Sequence, residues 1–328
     1  MKYQKTLATL AGLTFAGALS QAQIAIGENL TVSGFIDASY TDTNTDVVGS
    51  KNSTDVNIEE VEIDFAFSFD AVSAEIHLQT KSDGKLDLEQ AFVSTDLGGI
   101  TISAGRMVSL LGFEDDETTG LYQSSNAYDI DSIKANLKTY NNGIRGAYSQ
   151  GDFSLSASIT DNLYESARDR ALYETGGNAQ EVAVDVLLTY TGIENLSVSL
   201  GYADDGDVDE NKLASSSNDR SIAQAINVFA TYSLGQITLG GEYIDYEDGA
   251  GTSGDAYLLM GNYAVNDDLS LTVRHSEWDH TGGNNMEKTT VAANYSISDN
   301  LSSIVEYSTG ELTGKGVDTI TVKGIFTY

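Results

Sequence analysis

The sequence predicts an all-β chain that crosses a membrane as an antiparallel, up-and-down β-barrel of sixteen strands. Three observations carry that prediction. Segments of roughly ten residues alternate apolar and polar side chains, which is the period of a strand with two different faces. The connections between segments alternate between short and long. Many apolar faces close on tyrosine near a strand end, while the opposite faces carry ionisable groups.

The elements follow in chain order. Lys2 and Lys5 precede an apolar run from Leu7 to Leu19, and Ser20-Gln21-Ala22 offers small residues for cleavage. This reads as a secretory signal peptide over residues 1–22, leaving 23–328 as a single barrel domain; the run is too short to span a membrane as a helix. No later segment has the apolar length of a spanning helix. The chain has no Cys and no Pro, 32 Gly, and a formal net charge of -32. So acidic a chain repels phosphates, which excludes nucleic acid as a partner. Composition alone leaves a soluble acidic β-protein and an outer-membrane barrel equally open.

Strand one runs from Leu30 to Tyr40, with Leu30, Val32, Ile36, Ala38 and Tyr40 on one face. Strand two carries Val61, Ile63, Phe65, Phe67 and Phe69 against Glu60, Glu62 and Asp64. Strand three sets Val72, Ala74, Ile76 and Leu78 against Ser73, Glu75, His77 and Gln79. Strand four, Leu86 to Thr95, has no unambiguous face. Strand five spans Ile100 to Arg106, strand six ends in Ile144 and Tyr148, and strand seven alternates Phe153, Leu155, Ala157 and Ile159 with hydroxyl residues. Strand eight is marked by Val182 to Tyr190 and strand nine by Leu196 to Tyr202. Further strands centre on Val228, Leu239, Leu259, Leu271, Val291 and Val305, and the terminal "TITVKGIFTY" is the sixteenth. Short turns fall near residues 70, 96–99, 150–152, 192–194, 233–236, 266–268 and 298–300. Long loops fall near 41–55, 80–85, 107–137, 161–180, 204–221, 246–255, 276–288 and 309–316. Short turns on one rim and loops on the other suit a membrane barrel.

Tyr40, Tyr148, Tyr190, Tyr202, Tyr232, Tyr243, Tyr263, Tyr295, Tyr307 and Tyr328 close apolar stripes, as rings at a membrane–water boundary do. Glu60, Glu62, Asp64, Glu75 and Asp185 cannot face lipid or a dry core without heavy cost, so they are expected to line water. A closed barrel with a wet lumen satisfies both faces and leaves no open backbone edge.

Three stretches, "LTVSGFIDASY", "LEQAFVSTDLGGITISAGR" and the terminal "GIFTY", resemble the Gram-negative general porins, and as a pattern the resemblance covers essentially the whole chain after the signal. It implies a bacterial outer-membrane location and a homotrimer of sixteen-stranded barrels, with short periplasmic turns and a third loop folded into the lumen. It also implies that the terminal aromatic pair, Phe326 and Tyr328, is read by the outer-membrane assembly machinery. The chain departs from that family in its few Lys and Arg, with no clear basic ladder.

The longest loop contains "GFEDDETTGLY". Folded inward, Glu114, Asp115, Asp116 and Glu117 bring negative charge to the narrowest point, where charge selects the permeating ion. Arg106, assigned to the polar phase of strand five, and Arg145 and Arg274, on the polar phases of strands six and thirteen, are expected to face these acids across the lumen. The competing reading is a solvated external loop. Tyr122 and Tyr128 are candidates for stacking on a sugar ring. Asp205, Asp207 and Asp209 are spaced like part of a calcium loop but lack its full pattern; otherwise no metal or cofactor is expected. Acidic external loops also suit bridging through divalent cations to lipopolysaccharide. No catalytic constellation stands out: Ser276 beside His275 and His280 is the sole pairing, and no nucleophile motif accompanies it.

The function expected is passive diffusion of small hydrophilic solutes and ions through a water-filled outer-membrane channel with a preference for cations. The alternatives are a non-conducting barrel acting as an adhesin or structural protein through its acidic loops, and a secreted soluble β-protein.

Overall fold

The computed structural model describes residues 23–81, 84–130, 133–134, 137–161, 163, 182–205, 222–248, 253–281 and 285–328. The expected signal peptide and most of residues 161–182 and 205–221 lie outside them. The alternating segments pair with their neighbours in sequence, because each short turn returns the chain antiparallel to the strand it has just left. Sixteen long strands, with a short one at Ile24–Ile26 beside the first, form one antiparallel sheet among the described residues. They are β1 (Leu30–Thr45), β2 (Ser53–Ser68), β3 (Val72–Lys81), β4 (Leu86–Asp96), β5 (Ile100–Val108), β6 (Tyr140–Gln150), β7 (Phe153–Thr160) and β8 (Ala183–Ile193). There follow β9 (Leu196–Asp204), β10 (Ile222–Leu234), β11 (Ile237–Asp248), β12 (Ser253–Ala264), β13 (Leu269–His280), β14 (Met286–Ser298), β15 (Leu301–Leu312) and β16 (Lys315–Thr327). β16 pairs with β1, Val317 opposite Thr45 and Phe326 opposite Ile36, so the sheet closes. Closure leaves no unpaired edge between first and last strands.

The two faces separate as the alternation demands. Along β1, Ile36, Ala38 and Tyr40 are exposed while Phe35, Asp37 and Ser39 are buried. Along β16, Ile320, Val322 and Phe326 point out; Thr321, Lys323, Ile325 and Thr327 are buried inside. Strand after strand exposes Ile, Leu and Val in this way, a surface that hydrocarbon covers and water does not. Aromatic rings border it. Tyr148, Tyr232, Tyr263, Tyr295 and Phe326 sit toward the short-turn rim, and Tyr40, Tyr202, Tyr243 and Tyr307 toward the other. Beyond the second ring the outward phase turns acidic, and the rings hold on to it: Tyr202 donates to Asp204 (2.9 Å) and Tyr307 to Asp318 (3.1 Å). Outward carboxylates end the apolar band because charge on the lipid face is expensive.

The seam where the ends of the chain meet is tight. The Gly34 and Tyr328 backbones exchange two hydrogen bonds of 3.0 Å, and the Tyr328 hydroxyl crosses Gly34 to donate to the Glu62 carbonyl at 2.8 Å. A Cβ at residue 34 would lie 2.1 Å from that carbonyl, so the crossing requires glycine.

The structure explains one ambiguity, adds a second bulge and corrects the loop bounds. Strand four has no single face because β4 carries a bulge: His77 pairs with Gln90 but Leu78 with Leu88, leaving Glu89 as the extra residue. The outward phase therefore passes from Leu86 to Val93. A second bulge at Glu59 (Asp37 opposite Glu60, Ala38 opposite Ile58) does the same in β2 and turns Val56 and Ile58 outward. Several outer loops are also shorter than expected, because strands keep pairing past the apolar band. The last is the two-residue turn Thr313-Gly314, both residues at positive φ (50° and 69°), as tight hairpins require.

Candidate functional site

The loop between β5 and β6, as far as residues 109–130 are described, folds into the barrel and is tied repeatedly to the inner wall. The Leu110 amide donates to Asp185 (2.7 Å), Gly112 to Asn227 (3.0 Å) and Phe113 to Glu242 (2.7 Å). Glu306 takes the amides of Ser124 and Ser125 and the Ser125 hydroxyl. Arg274 donates to Glu114 at 2.5 Å and to the Ser125 carbonyl at 2.7 Å. Lys288 holds the carbonyls of Asn126 (2.9 Å) and Asp129 (2.7 Å), and Lys323 bridges Asp37 (2.9 Å) and Thr118 (3.0 Å). Irregular backbone inside a barrel must find such partners, since its own amides have no ladder.

Apolar packing seats the same loop. Leu111, Phe113, Tyr128, Ile130 and Leu137 form one buried cluster with wall residues that include Phe229, Met260 and Trp278. The receiving wall is made of small residues on the inward phase: Ala183, Gly201, Ala203, Ala225, Gly240 and Ala256. Phe113 fills the space that a side chain at Gly240 would occupy; a Cβ there would meet its ring at 2.4 Å. Gly240→Val is therefore expected to dislodge Phe113 and destabilise the closed loop by about 1–3 kcal/mol, the usual cost of overpacking. Single-channel recording should show larger or fluctuating conductance; a wild-type trace would mean that the loop does not depend on this seat.

The inner wall at β2–β4 is different. Glu62, Asp64 and Glu89 are buried there, with Glu60, Glu75 and His77 partly open. Loop residue Glu117 reaches this group, and Asp115, next but one before it, is exposed. Burial and then Asp115 push the Asp116 carboxyl up to about 8, although the Tyr140 hydroxyl donates to it. Burial, followed by Glu62, holds Glu117 well above the usual carboxylate range.

The acids and arginines of the sequence reading are arranged otherwise than expected. Arg106 shares the phase of Ile100, Ile102 and Ala104, pairs with Ala91, and donates to the carbonyls of Leu88 (3.1 Å) and Glu89 (3.0 Å); it does not cross the lumen. Arg145 points inward but is held by the Ser158 hydroxyl and the Val108 carbonyl at the root of the loop. Arg274 touches Glu114 directly. Arg145 and Arg274 thus hold the loop in place rather than facing its acids as a ladder. Asp185, expected to line water, is covered by Leu110. Tyr122 and Tyr128 are both buried, Tyr128 edge-on to Trp278 (5.3 Å) and bonded to Glu242 (3.1 Å), so neither ring is free to stack on a sugar. Asp205 accepts the Leu163 amide, while Asp207 and Asp209 lie outside the described residues. Ser276 points inward to the Ala127 carbonyl and His275 outward to Thr289, which separates that pair.

The sequence reading missed the anchors Asn227, Glu242, Lys288, Glu306 and Lys323. Their signal was present: ionisable groups on the inward phase of strands otherwise rich in Ser and Thr, and runs of Ala and Gly opposite them.

The model of the Gram-negative porin family matches residues 6–315. No curated protein sequence matches the chain. Among solved structures, the outer-membrane channel DcaP of Acinetobacter baumannii superposes with a TM-score of 0.65 at 13% identity, covering 94% of this chain and 100% of that one. The anion-selective porin from Comamonas acidovorans gives 0.65 at 14%, covering 91% and 99%, and a mutant of the Rh. blastica porin gives 0.62 at 17%, covering 91% and 100%. A closed barrel with a lipid-facing exterior, a loop folded into its lumen and a family match over nearly its whole length together place the chain: it belongs to the Gram-negative porins and forms a channel in the bacterial outer membrane.

Proposed function

We propose that this channel is a passive route for small hydrophilic solutes and ions that favours cations. The observation that carries the reading is the segregation of charge inside the barrel. Four cations with described side chains on the inner wall, Arg145, Arg274, Lys288 and Lys323, are bonded to the loop, its root or its wall partners. The exposed carboxylate Asp115 and the partly open Glu60 and Glu75 stand on the β2–β4 side. A low-dielectric wall focuses negative charge of this kind on the passage, concentrating cations and repelling anions. The fold does not set the sign of selectivity, since a solved porin of the same fold is titled anion-selective; wall charge does.

Around this core the resemblance supports a homotrimer, with Phe326 and Tyr328 as the assembly signal and lipopolysaccharide beside the outward acids above the outer aromatic ring. The test is reconstitution of the full barrel into a planar lipid bilayer across a potassium chloride gradient. A reversal potential with the sign of potassium permeation is expected; zero or the chloride sign overturns the preference. Complete absence of conductance would favour a non-conducting barrel that acts through its loops.

A further inference from the structure

We propose that Glu62, His77, Glu89 and Glu117 form a binding site for a divalent transition-metal ion of the zinc type. The four come from β2, β3, β4 and the inward loop, and each offers a ligand atom within 4.8 Å of the others. Zinc takes four ligands at about 2.0–2.2 Å from His nitrogen and carboxylate oxygen, a spacing that small side-chain rotations reach from here. The imidazole selects for that chemistry over magnesium or calcium, which prefer oxygen alone.

Two features point to a ligand beyond the proximity of acids. Glu62 is completely buried, yet neither carboxylate oxygen accepts a hydrogen bond; its one cationic neighbour is the imidazole, with Nδ1 of His77 at 3.4 Å. A buried carboxylate without donors is costly, and a bound dication removes that cost. The second is the bulge at Glu89. An extra residue in β4 lets Glu89 and its neighbour Gln90 both serve the inner side, where a regular strand would turn one of them out. Around the group, Gln79 donates to Glu89 at 2.7 Å, Gln90 lies 3.4 Å from His77 Nδ1, and Asp64 and Glu75 flank the imidazole at 3.3 Å. Such outer partners orient metal ligands. His77, partly exposed beside the more open Glu75, gives an entry path from the lumen.

The inference deepens the reading of this region as the narrow part of a conducting passage, and it rests on that reading for its conductance readout alone. Isothermal titration of the refolded full barrel with zinc tests it directly, with folding verified by the heat-dependent gel shift. A single zinc per chain is expected. His77→Asn should weaken binding by about ten-fold or more, the scale lost even when an outer partner of a metal ligand is removed. Glu62→Gln should do the same, and His275→Asn, which alters the outward-facing His275, Glu277 and Glu287 group, should bind as wild type. Wild-type barrel that takes no zinc, binding indifferent to His77→Asn and Glu62→Gln, or binding lost in His275→Asn overturns the proposal. Bilayer recording with EDTA and then with zinc separates the two readings. Conduction in EDTA with no zinc binding removes the site and keeps the channel; zinc binding with no conduction under either condition keeps the site and removes the channel.

Discussion

Replacing Asp115, Asp116 and Glu117 together by Asn, Asn and Gln is expected to abolish most of the channel's preference for cations. These three residues project from the part of the loop between the Glu114–Arg274 pair and the Thr118–Lys323 contact, so both ends of the segment stay fixed when its charge is removed. Asp115 is the exposed member and is expected to carry the largest share. A unit charge about 4 Å from a permeating ion is worth about 1 kcal/mol even in water, or about five-fold in local occupancy. The single variant Asp115→Asn should therefore lower the potassium-to-chloride permeability ratio by about that factor. At neutral pH the triple variant should lower it only slightly further, because burial pushes the Asp116 carboxyl up to about 8 and holds Glu117 well above the usual carboxylate range, so both are mostly protonated. The effect should be largest below 0.1 M salt, where the Debye length exceeds about 10 Å, and should shrink as salt is raised. Reversal potentials at two ionic strengths measure both. An unchanged ratio in the triple variant would place the selective charge on the wall, at Glu60 and Glu75, and remove the loop from selection.

How much of this was legible in the sequence differs between strand and loop. β3 and β16 were readable because strict alternation leaves a strand with one lipid-compatible face, and Ile320, Val322 and Phe326 admit no other register. β2 and β4 were only half readable. A bulge shifts the phase by one residue, so Glu59 and Glu89 looked like noise in a pattern that they in fact reset. The inward fold of the third loop was available only through family resemblance. Nothing local in residues 109–139 announces its partners, since Arg274 and Glu306 are more than 140 positions away from Glu114 and Ser125. The assignment of Arg106 to the polar phase fails on parity alone, which residue 106 shares with Ile100, Ile102 and Ala104. Arg106 sits on the outward phase, and its guanidinium turns along the rim to the carbonyls beside the Glu89 bulge. The acidic count was plain from composition, whereas its separation from the inward cations emerges only when the barrel closes.

Replacing Arg274 by Met is expected to free the loop and widen the passage. The guanidinium is fully buried and is the hub of the inner wall, reaching Glu114 and the Ser125 carbonyl through one nitrogen and Thr290 (3.2 Å) through another. Glu114 in turn caps the Ala127 amide and the Gln123 side chain, both at 2.6 Å, so one cation organises the chain from residue 114 to 127. Removing it leaves the largely buried Glu114 with amide donors but no counter-charge. Breaking a buried pair from one side in this way typically costs about 3–5 kcal/mol, more than the rest of the loop's hydrogen bonds each contribute. The barrel itself does not depend on this contact, because its ladders close without the loop. Single-channel recording of Arg274→Met should therefore show higher and noisier conductance, while the heat-dependent gel shift still reports a folded barrel. Arg274→Lys should fall between, since an ammonium keeps the charge but cannot reach Glu114, Ser125 and Thr290 together with the planar fork. Wild-type conductance in Arg274→Met would show that Lys288, Lys323 and the Phe113 seat hold the loop without it, and the latch would then be shared across the wall rather than centred on one residue.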